Sequence, residues 1–473
     1  MRIGRHWAWL LPLLAVATVF ALRLAGPPDI RDKDQARPID YVVDAVADGN
    51  WLVQRDAGGD IASKPPVYTW LASASSLAFG GNRFAIYLPC ALAMAFVALL
   101  AAVQSMRRLG WAAGLAAGMA VALAMDTQKA VTLARTDAVF AACTGLAAWL
   151  ALRSWESGRG WILFWLACAV VTLAKSPVGV VFAAGGLLAA CWRTERPALA
   201  ERNTGWQHAV GVPLWLIIGA GWLLLAVETL GMPVIDKLIG KELVGHATAN
   251  DNATPWLQTF WRPPLWHMGI FAPWSLLACV ALWRLARHPP ASPRRRRFLR
   301  FMACWLGFGL LVLCLAPHKR MVLALPMLLP GAVLAGSEAG RWLGRLGRGQ
   351  QMALWSGLTA MILAALALYH FNRDPRKDRI DVSRAVIATG DALGRLVGRG
   401  IVVTSAAALP STIRYFTPGW PRQVTDPTQF LAAAGPGAVA VAAGTVVPGS
   451  VRSMPIAEGI EVAVDAEAAK LLE

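Results

Sequence analysis

Basic side chains recur at the ends of long apolar segments, where a bilayer makes isolated charge costly. They are Lys64 before a Pro-Pro pair, Arg135 beside an apolar segment, Lys175 within the apolar residues 173–180, and the adjacent Lys319 and Arg320. A charged group at the centre of a membrane helix costs about 2.5–3.5 kcal/mol on insertion scales, so such groups are usually held by an ion pair or a ligand. Because all five of these side chains are cationic, we predict an anionic ligand, and a lipid phosphate has the matching charge.

Carboxylates supply the opposite charge in the polar segment 27–64 and at one later position. The segment contains Asp29, Asp32, Asp34, Asp40, Asp44, Asp48, Asp56 and Asp60, and Asp137 follows Arg135 by two residues. A glycosyl transfer, for example, needs a group that orients or deprotonates the acceptor and positive charge on the departing phosphate. A carboxylate-rich loop beside a cationic membrane surface can provide both. Position alone does not distinguish one aspartate of the loop from another.

Long apolar segments must carry these side chains. Of the 473 residues, 56% are hydrophobic and 15% are charged, and the mean hydropathy is +0.49, whereas a soluble chain has roughly 25% charged residues. Apolar segments of about 20 residues match a hydrocarbon core about 30 Å thick when they are helical. The bilayer requires helices because each backbone polar group needs a partner within its segment. The composition therefore predicts a polytopic membrane protein.

The distribution of arginine orients the predicted spans. We place spans near residues 7–22, 84–106, 111–127, 137–152, 161–174, 178–192, 209–228, 264–284, 300–316, 321–337 and 351–370. Arginines fall in alternate connections, at Arg107 and Arg108, Arg153 and Arg159, Arg193 and Arg196, residues 294–297, and Arg341 and Arg345. Basic residues favour the cytoplasmic side, so these loops and the N-terminus are predicted inside, with about eleven spans. The net charge of +17 has this origin, and since the basic residues form no stripe with interleaved aromatics, no nucleic-acid partner is expected.

Polar breaks divide the chain into two predicted domains. Residues 1–370 form a multi-span membrane domain whose first outer loop covers residues 27–83. Residues 371–473 form a C-terminal domain on the outer side of the membrane. Helical periodicity at 380–397 and short β-type runs at 401–404 and 438–442 assign this tail to the α/β class.

Several other kinds of site have no matching motif in the sequence. There is no P-loop glycine motif, which argues against ATP-driven transport, and no HExxH pattern or Cys/His cluster. The seven cysteines lie within or beside apolar segments at no metal-binding spacing. We therefore interpret them as small packed side chains.

Motifs in the first outer loop recur in an order that resembles one family. They are Asp-Gln-Ala-Arg at 34–37, Asp-Gly-Asn-Trp-Leu-Val at 48–53 and Lys-Pro-Pro-Val-Tyr-Thr-Trp-Leu at 64–71. Later landmarks are Arg83, Arg135-Thr136-Asp137, the break at 173–179, Pro273-Trp274, and Lys319-Arg320 followed by Pro326 and Pro330. In order and spacing, residues 1–370 resemble the GT-C glycosyltransferases, and most of all the group that contains lipid A aminoarabinose transferases and protein mannosyltransferases.

The resemblance implies a fold, an activity and a location. The fold is an all-α polytopic membrane protein, GT-C-like, with about 11–13 transmembrane helices and a small C-terminal α/β periplasmic domain. The activity is that of an inverting glycosyltransferase that moves a sugar from a polyprenyl-phosphate donor to lipid A, another envelope glycan or a protein. The location is the bacterial inner membrane, where membrane lipids surround the chain and the active site faces the periplasm.

The resemblance also implies roles for individual residues. Asp34 deprotonates or orients the acceptor, and Asp137 supports it as the second catalytic residue. The residues implied to bind the donor phosphate are Lys64, Arg37, Arg135 and Lys175.

Departures from the family pattern leave some questions open. Gln35 stands where the family usually has Glu, and Ser63 stands where an acidic residue linked to metal binding in the aminoarabinose enzymes precedes Lys-Pro-Pro. A divalent metal is therefore an open question, and no other cofactor is implied. Two other functions also stay open, a lipid or sugar transporter and a catalytically inactive homologue. Transporters usually contain internal repeats with broken helices, and we find no repeat between the two halves of this sequence.

Overall fold

The structure, a computed structural model, describes residues 9–30, 33–192, 204–245, 259–316, 319–372, 377–406, 412–432, 435–457 and 460–472. The chain divides into two compact units. The first, which we call the membrane unit, comprises Met1–Arg23, Ser63–Val67 and Cys90–Leu368. The second, which we call the loop–tail unit, comprises Leu24–Ala62, Tyr68–Pro89 and Tyr369–Glu473. The tail segment of the second unit thus starts beside the predicted boundary at residue 370, and most of the first outer loop belongs to the same unit as the tail.

Helices dominate both the apolar segments and the first outer loop. In chain order they are α1 (Leu10–Ala25), α2 (Lys33–Ala47), α3 (Val67–Phe79), α4 (Arg83–Leu109), α5 (Trp111–Ala122), α6 (Met125–Ala130), α7 (Thr136–Ser157), α8 (Trp161–Ala174), α9 (Val178–Gly185), α10 (Gly205–Leu230), α11 (Pro233–Ile235), α12 (Arg262–Ile270), α13 (Trp274–Arg287), α14 (Pro293–Leu315), α15 (Leu328–Leu343), α16 (Arg348–Asn372), α17 (Lys377–Gly398), α18 (Thr412–Phe416) and α19 (Ala466–Leu472). Short 3-10 turns cover Gly186–Cys191, Met321–Met327 and Pro427–Ala432, and Asp236–Gly245 forms a π-helix.

The membrane-spanning character of the chain is confirmed. Among the described residues, five helical segments are long and apolar enough to cross a bilayer, namely Arg83–Leu109, Thr136–Ser157, Gly205–Leu230, Pro293–Leu315 and Met321–Leu343. Four shorter apolar helical segments accompany them at Leu10–Ala25, Trp111–Ala122, Trp161–Ala174 and Val178–Cys191. Each predicted span coincides with a helix or a helix pair because the bilayer leaves an apolar segment no other way to satisfy its backbone.

One predicted span is broken. The segment predicted as a single span at 264–284 consists of α12 and α13, whose axes are bent by 117°. Pro273 stands at the break, immediately before α13. Proline has no N–H and its ring clashes with the carbonyl four residues earlier, so a straight helix cannot continue through this position.

Small residues allow close helix packing inside the membrane unit. Gly336 and Gly340 of α15 lie against Ala113 and Ala117 of α5. A Cβ added at Gly336 would lie 2.7 Å from the Cβ of Ala117, and one added at Gly340 would lie 2.5 Å from the Cα of Ala113. Such contacts are typical of membrane helices, where association depends on van der Waals packing more than on the hydrophobic effect.

A five-stranded sheet forms the core of the tail, which confirms the predicted α/β class. The strands are β1 (Val402–Ala406), β2 (Gln423–Val424), β3 (Gly437–Ala442), β4 (Arg452–Ala457) and β5 (Ile460–Val464), in the order β2-β1-β3-β5-β4. β1 pairs in parallel with β2 and β3, whereas β5 pairs antiparallel with β3 and β4. Val439, Val441 and Ala463 lie in the apolar cluster of this sheet. The helix predicted at 380–397 corresponds to α17.

Candidate functional site

Asp137 and Lys175 are brought together by two helix ends of the membrane unit. Asp137 lies in the first turn of α7, and Lys175 is the residue that ends α8. Their side chains form an ion pair, and only 12% of the Asp137 side chain and 13% of the Lys175 side chain are exposed. The Lys175 ammonium also lies 5.5 Å from the ring centroid of Phe140. A largely buried charge must be paired, and each of these residues supplies the counter-charge of the other.

Residues just before α7 hold this pair in place. Arg135 is extended and precedes the first residue of α7, and its backbone N–H donates to the carbonyl of Leu133 over 2.8 Å. The thiol of Cys90 donates to the carbonyls of Leu133 and Arg135 over 3.0 and 3.3 Å. The backbone before Asp137 is therefore tied to α4, and the negative charge of Asp137 interacts favourably with the N-terminal end of its helix.

Lys64 is ion-paired with Glu242 of the π-helix Asp236–Gly245. The Lys64 side chain is 32% exposed and that of Glu242 is 22% exposed, so water reaches both groups. The contact between Glu242 and Lys64 was not predicted, because the two residues are 178 positions apart.

A third cationic group surrounds a small pocket of the membrane unit. Its lining includes Lys319 and Arg320 together with Trp266 and Leu323. The Lys319 ammonium donates to the carbonyl of Ala316 over 2.6 Å, which caps the end of α14. Burial, followed by the positive charge of Arg262, lowers the pKa of Lys319, an effect that the Cys314 thiol partly opposes. Within the described part of the chain, none of Arg262, Lys319 and Arg320 has a carboxylate partner.

Asp34 and Arg37 belong to the loop–tail unit, in the first turns of α2. The side chain of Asp34 lies outside the described residues. Pro38 stands inside α2, and because proline has no N–H, the carbonyl of Asp34 receives no bond from the residue four positions later. Arg37 is 53% exposed, and its Nε lies 3.4 Å from the carboxylate of Asp56. The first turn of α2 therefore depends on contacts outside the helix.

Three other aspartates of the loop have structural roles. Asp40, Asp44 and Asp48 recur every four residues along α2 and its end. The carboxylate of Asp40 accepts from the N–H of Ala57 over 3.5 Å, and that of Asp44 accepts from the N–H of Arg55 over 2.8 Å. Burial raises the pKa of Asp44 above its usual range, although its hydrogen bonds oppose the shift. These carboxylates connect α2 to the loop that follows it.

Gln35 and Ser63 do not provide the ligands that a divalent cation requires. The amide of Gln35 donates to the carbonyl of Asp29 over 2.6 Å, and its oxygen accepts from the hydroxyl of Tyr87 over 3.3 Å. Gln35 is buried and takes part in this network, and Ser63 offers a neutral hydroxyl, whereas Mg²⁺ and Ca²⁺ sites are built largely from carboxylates. Among the described residues, no three His, Cys, Asp or Glu side chains converge on one point.

Comparison with known proteins identifies structures and sequences that resemble this chain. A family model described as dolichyl-phosphate-mannose-protein mannosyltransferase matches residues 63–223. The crystal structure of ArnT from Cupriavidus metallidurans bound to undecaprenyl phosphate superposes with a TM-score of 0.64, at 16% identity, over 99% of both chains. This chain shares the fold of ArnT. The predicted GT-C fold class is therefore confirmed, including the helical membrane domain and the small C-terminal sheet domain.

Two sequence relatives agree with this likeness of fold. Both are from Pseudomonas fluorescens and are named undecaprenyl phosphate-alpha-4-amino-4-deoxy-L-arabinose arabinosyl transferase 1 and 2. They are 23% and 26% identical to this chain over 379 and 393 residues, which is 76% of the chain in each case. The chain spans 62% and 64% of their lengths. The predicted resemblance to the lipid A aminoarabinose transferase group is confirmed.

Proposed function

We propose that the chain is an inverting glycosyltransferase of the bacterial inner membrane that uses a polyprenyl-phosphate sugar donor at the periplasmic face. The proposal is carried by one observation, the likeness of fold over 99% of the chain. It is supported by charged residues kept at the family's motif positions, of which Asp34, Lys64 and Asp137 are the most important. The acceptor is lipid A, another envelope glycan or a protein.

Donor binding is assigned to the cations of the membrane unit. Arg262, Lys319 and Arg320 have no carboxylate partner among the described residues, so their positive charge is available to a phosphate. Lys64 is available only by exchange, because its ammonium is paired with Glu242. A phosphate that displaces Glu242 keeps Lys64 neutralised and gains charge-assisted hydrogen bonds. Arg135, of the same unit, is a further proposed phosphate ligand, and Arg37 keeps the donor-phosphate role that the family resemblance implies.

Lys175 has a different proposed role from the one implied by the family resemblance. Its ammonium is paired with Asp137 in a largely buried position. Binding the donor phosphate directly would remove this partner and leave a carboxylate unpaired at low exposure, which is costly. Lys175 therefore acts on the reaction through Asp137, whose side chain it orients by the ion pair.

The proposed transfer is a single displacement at the anomeric carbon of the donor sugar. An oxygen of the acceptor forms the new bond on one face while the bond from the anomeric carbon to the phosphate oxygen breaks on the other, which inverts the configuration. The bonding electron pair leaves with the phosphate oxygen and yields polyprenyl phosphate, whose charge the cations stabilise. When the acceptor is a hydroxyl, Asp34 takes its proton. When the acceptor is already an anionic phosphate, Asp34 only positions the sugar.

The experiment that tests this proposal compares the envelope glycoconjugates of a deletion strain by mass spectrometry. The strain is complemented with wild type, Asp34→Asn, Lys64→Ala or the control Asp381→Asn, whose side chain is 53% exposed on α17. We expect loss of a defined sugar mass in the deletion strain. Wild type and the control restore it, whereas Asp34→Asn and Lys64→Ala do not.

Two results would contradict the proposal. An unchanged glycan profile in the deletion strain favours a transporter or an inactive homologue. Full restoration by both Asp34→Asn and Lys64→Ala shows that transfer does not depend on these residues. The abundance of each variant in the membrane fraction is measured as well, so that a difference in expression is not mistaken for a difference in activity.

A further inference from the structure

The short helix α18 of the tail is buried along its whole length. Thr412, Ile413, Arg414, Tyr415 and Phe416 are each at most 5% exposed. A Cβ added at Gly390 of α17 would lie 2.6 Å from the Cβ of Phe416, so α17 approaches this helix as closely as its glycine allows. Burial of five consecutive residues means that α18 contacts protein on every side, within the loop–tail unit.

Arg414 is the charged centre of these contacts. Its guanidinium donates to both carboxylate oxygens of Asp48, over 2.9 and 3.1 Å, and its Nε donates to the carbonyl of Pro421 over 2.6 Å. Arg414 is only 4% exposed. A guanidinium buried to this extent is strongly unfavourable without its anion, and its planar donors require one orientation of the carboxylate.

The position of Asp48 at the end of its helix does not favour a negative charge. It follows Ala47, the last residue of α2, and a carboxylate at a helix C-terminus is repelled by the negative end of the helix dipole. Its favourable partner is instead Arg414, which is 366 positions away in the chain. The ion pair therefore ties the C-terminal end of α2 to the tail.

Tyr415, the next residue, makes a second connection to the first outer loop. Its hydroxyl shares a hydrogen bond of 2.9 Å with the hydroxyl of Ser76 on α3 and donates to the carbonyl of Asn82 over 3.1 Å. The carbonyl of Tyr415 lies so near Gly81 that a Cβ there would be 1.7 Å from the oxygen. Two adjacent residues of α18 thus hold the end of α2 and the turn between α3 and α4.

We infer that the Arg414–Asp48 pair is a positioning device for the proposed transfer reaction, because it fixes α2 and with it Asp34 and Arg37. The inference rests on the proposed function. Asp34 lies 14 residues before Asp48, about 21 Å along a helix. Pro38 removes one hydrogen bond from the first turn of α2, so this turn relies on its packing, and a displacement of the helix at the Asp48 end changes the packing on which Asp34 and Arg37 depend. The tail then contributes to catalysis by positioning α2, and no direct role in the chemical step is proposed for it.

The test uses the full-length protein in membranes with a polyprenyl-phosphate sugar donor. Arg414→Ala, Arg414→Lys and Asp48→Asn are compared with Arg384→Ala, a matched control whose side chain is 62% exposed and pairs with Asp381 on the same helix. We expect kcat to fall at least tenfold for Arg414→Ala and Asp48→Asn, with the KM for the donor within twofold of wild type. The double exchange Asp48→Arg with Arg414→Asp is expected to recover part of the lost kcat.

A second measurement reports the position of the loop without using activity. Arg55 lies in the loop that follows α2, and trypsin cleavage at this residue measures how well the loop is held. Cleavage is expected to accelerate at least fivefold in Arg414→Ala and Asp48→Asn, and to be unchanged in Arg384→Ala. If Arg414→Ala does not accumulate in the membrane, Asp48→Asn carries the test, because it keeps the bond from Arg414 to Pro421.

The outcomes separate this inference from the proposed function. If wild type transfers sugar and Arg414→Ala and Asp48→Asn keep both kcat and loop protection, the positioning role is overturned and the proposed function stands. If wild type transfers no sugar, the proposed function fails, and the positioning role fails with it. A rise in the donor KM with unchanged kcat also overturns the inference, since it indicates an effect on donor binding.

Discussion

The ammonium of Lys64 is paired with the carboxylate of Glu242, so a residue proposed to bind phosphate already has an anionic partner. A donor phosphate must compete with Glu242 for the same cation. Both side chains are about one-third exposed or less, and exposed pairs contribute about 0.2–1 kcal/mol. The competition is therefore weak enough for the singly charged phosphodiester of the proposed donor to displace Glu242, and we expect Glu242 to tune the affinity for the donor.

Replacement of Glu242 by glutamine is expected to strengthen phosphate binding. Removing a competitor worth up to about 1 kcal/mol lowers the Kd for undecaprenyl phosphate by roughly two- to fivefold. Lys64→Ala is expected to raise the same Kd. The measurement is a binding titration of the purified protein in detergent at low salt, where surface charge is least screened. A higher Kd for Glu242→Gln would mean that Glu242 assists the phosphate instead of competing with it.

The Asp137–Lys175 pair is expected to behave as a unit. Asp137→Asn and Lys175→Met each leave one largely buried charge without its partner, which costs about 3–5 kcal/mol when burial is complete. The double variant leaves no charge unpaired, so its loss of stability is expected to be smaller than the sum of the single losses. Thermal unfolding in detergent measures this coupling. Strictly additive losses would show that the two side chains do not stabilise each other.

Arg320, which lines the small pocket, and the nearby Arg262 are expected to affect the KM for the donor more than kcat. Arg262→Ala combined with Arg320→Ala removes two charges that have no carboxylate partner among the described residues. We expect the KM for the donor to rise about tenfold, which corresponds to about 1.4 kcal/mol, while kcat changes little. Arg294→Ala removes a charge from a loop predicted on the inner side and serves as the control. An equal effect of Arg294→Ala would assign the change to net charge and not to the pocket.

Sequence patterns predicted the elements of this fold better than the partners of its charged residues. The spans were predictable because the bilayer dictates both the length and the conformation of an apolar segment. The break before Pro273 was missed because an apolar segment looks continuous on both sides of a proline. Gln35 was recognised as a departure from the family, but its contacts with Asp29 and Tyr87 follow from the packing of α2 and α4.

The long-range ion pairs of the site could not be predicted from the sequence. The aspartates of the first loop are equivalent in a sequence, yet Asp44 bonds to the next loop and Asp48 bonds to Arg414 in the tail. Nothing local distinguishes them, because the partner of Asp48 lies 366 positions away. Only the family motif singled out Asp34 from these neighbours.

Asp44, in α2 of the first outer loop, predicts a dependence of stability on pH. Burial raises its pKa above the usual 3.8, although its hydrogen bonds with Asn50 and Arg55 oppose the shift. Folding therefore favours the protonated form, so this contribution to stability is fully present below pH 3.8 and is lost as the pH rises through the raised pKa. Asp44→Asn removes the titration and keeps an oxygen that can accept from the N–H of Arg55. The Tm of Asp44→Asn relative to wild type is therefore expected to be higher at pH 7 than at pH 4. Thermal unfolding of both forms in detergent between pH 4 and pH 8 checks the sign, with the exposed Asp381→Asn as control. A Tm difference that is constant across this range would contradict the raised pKa of Asp44, because only a group that titrates within it makes the difference change with pH.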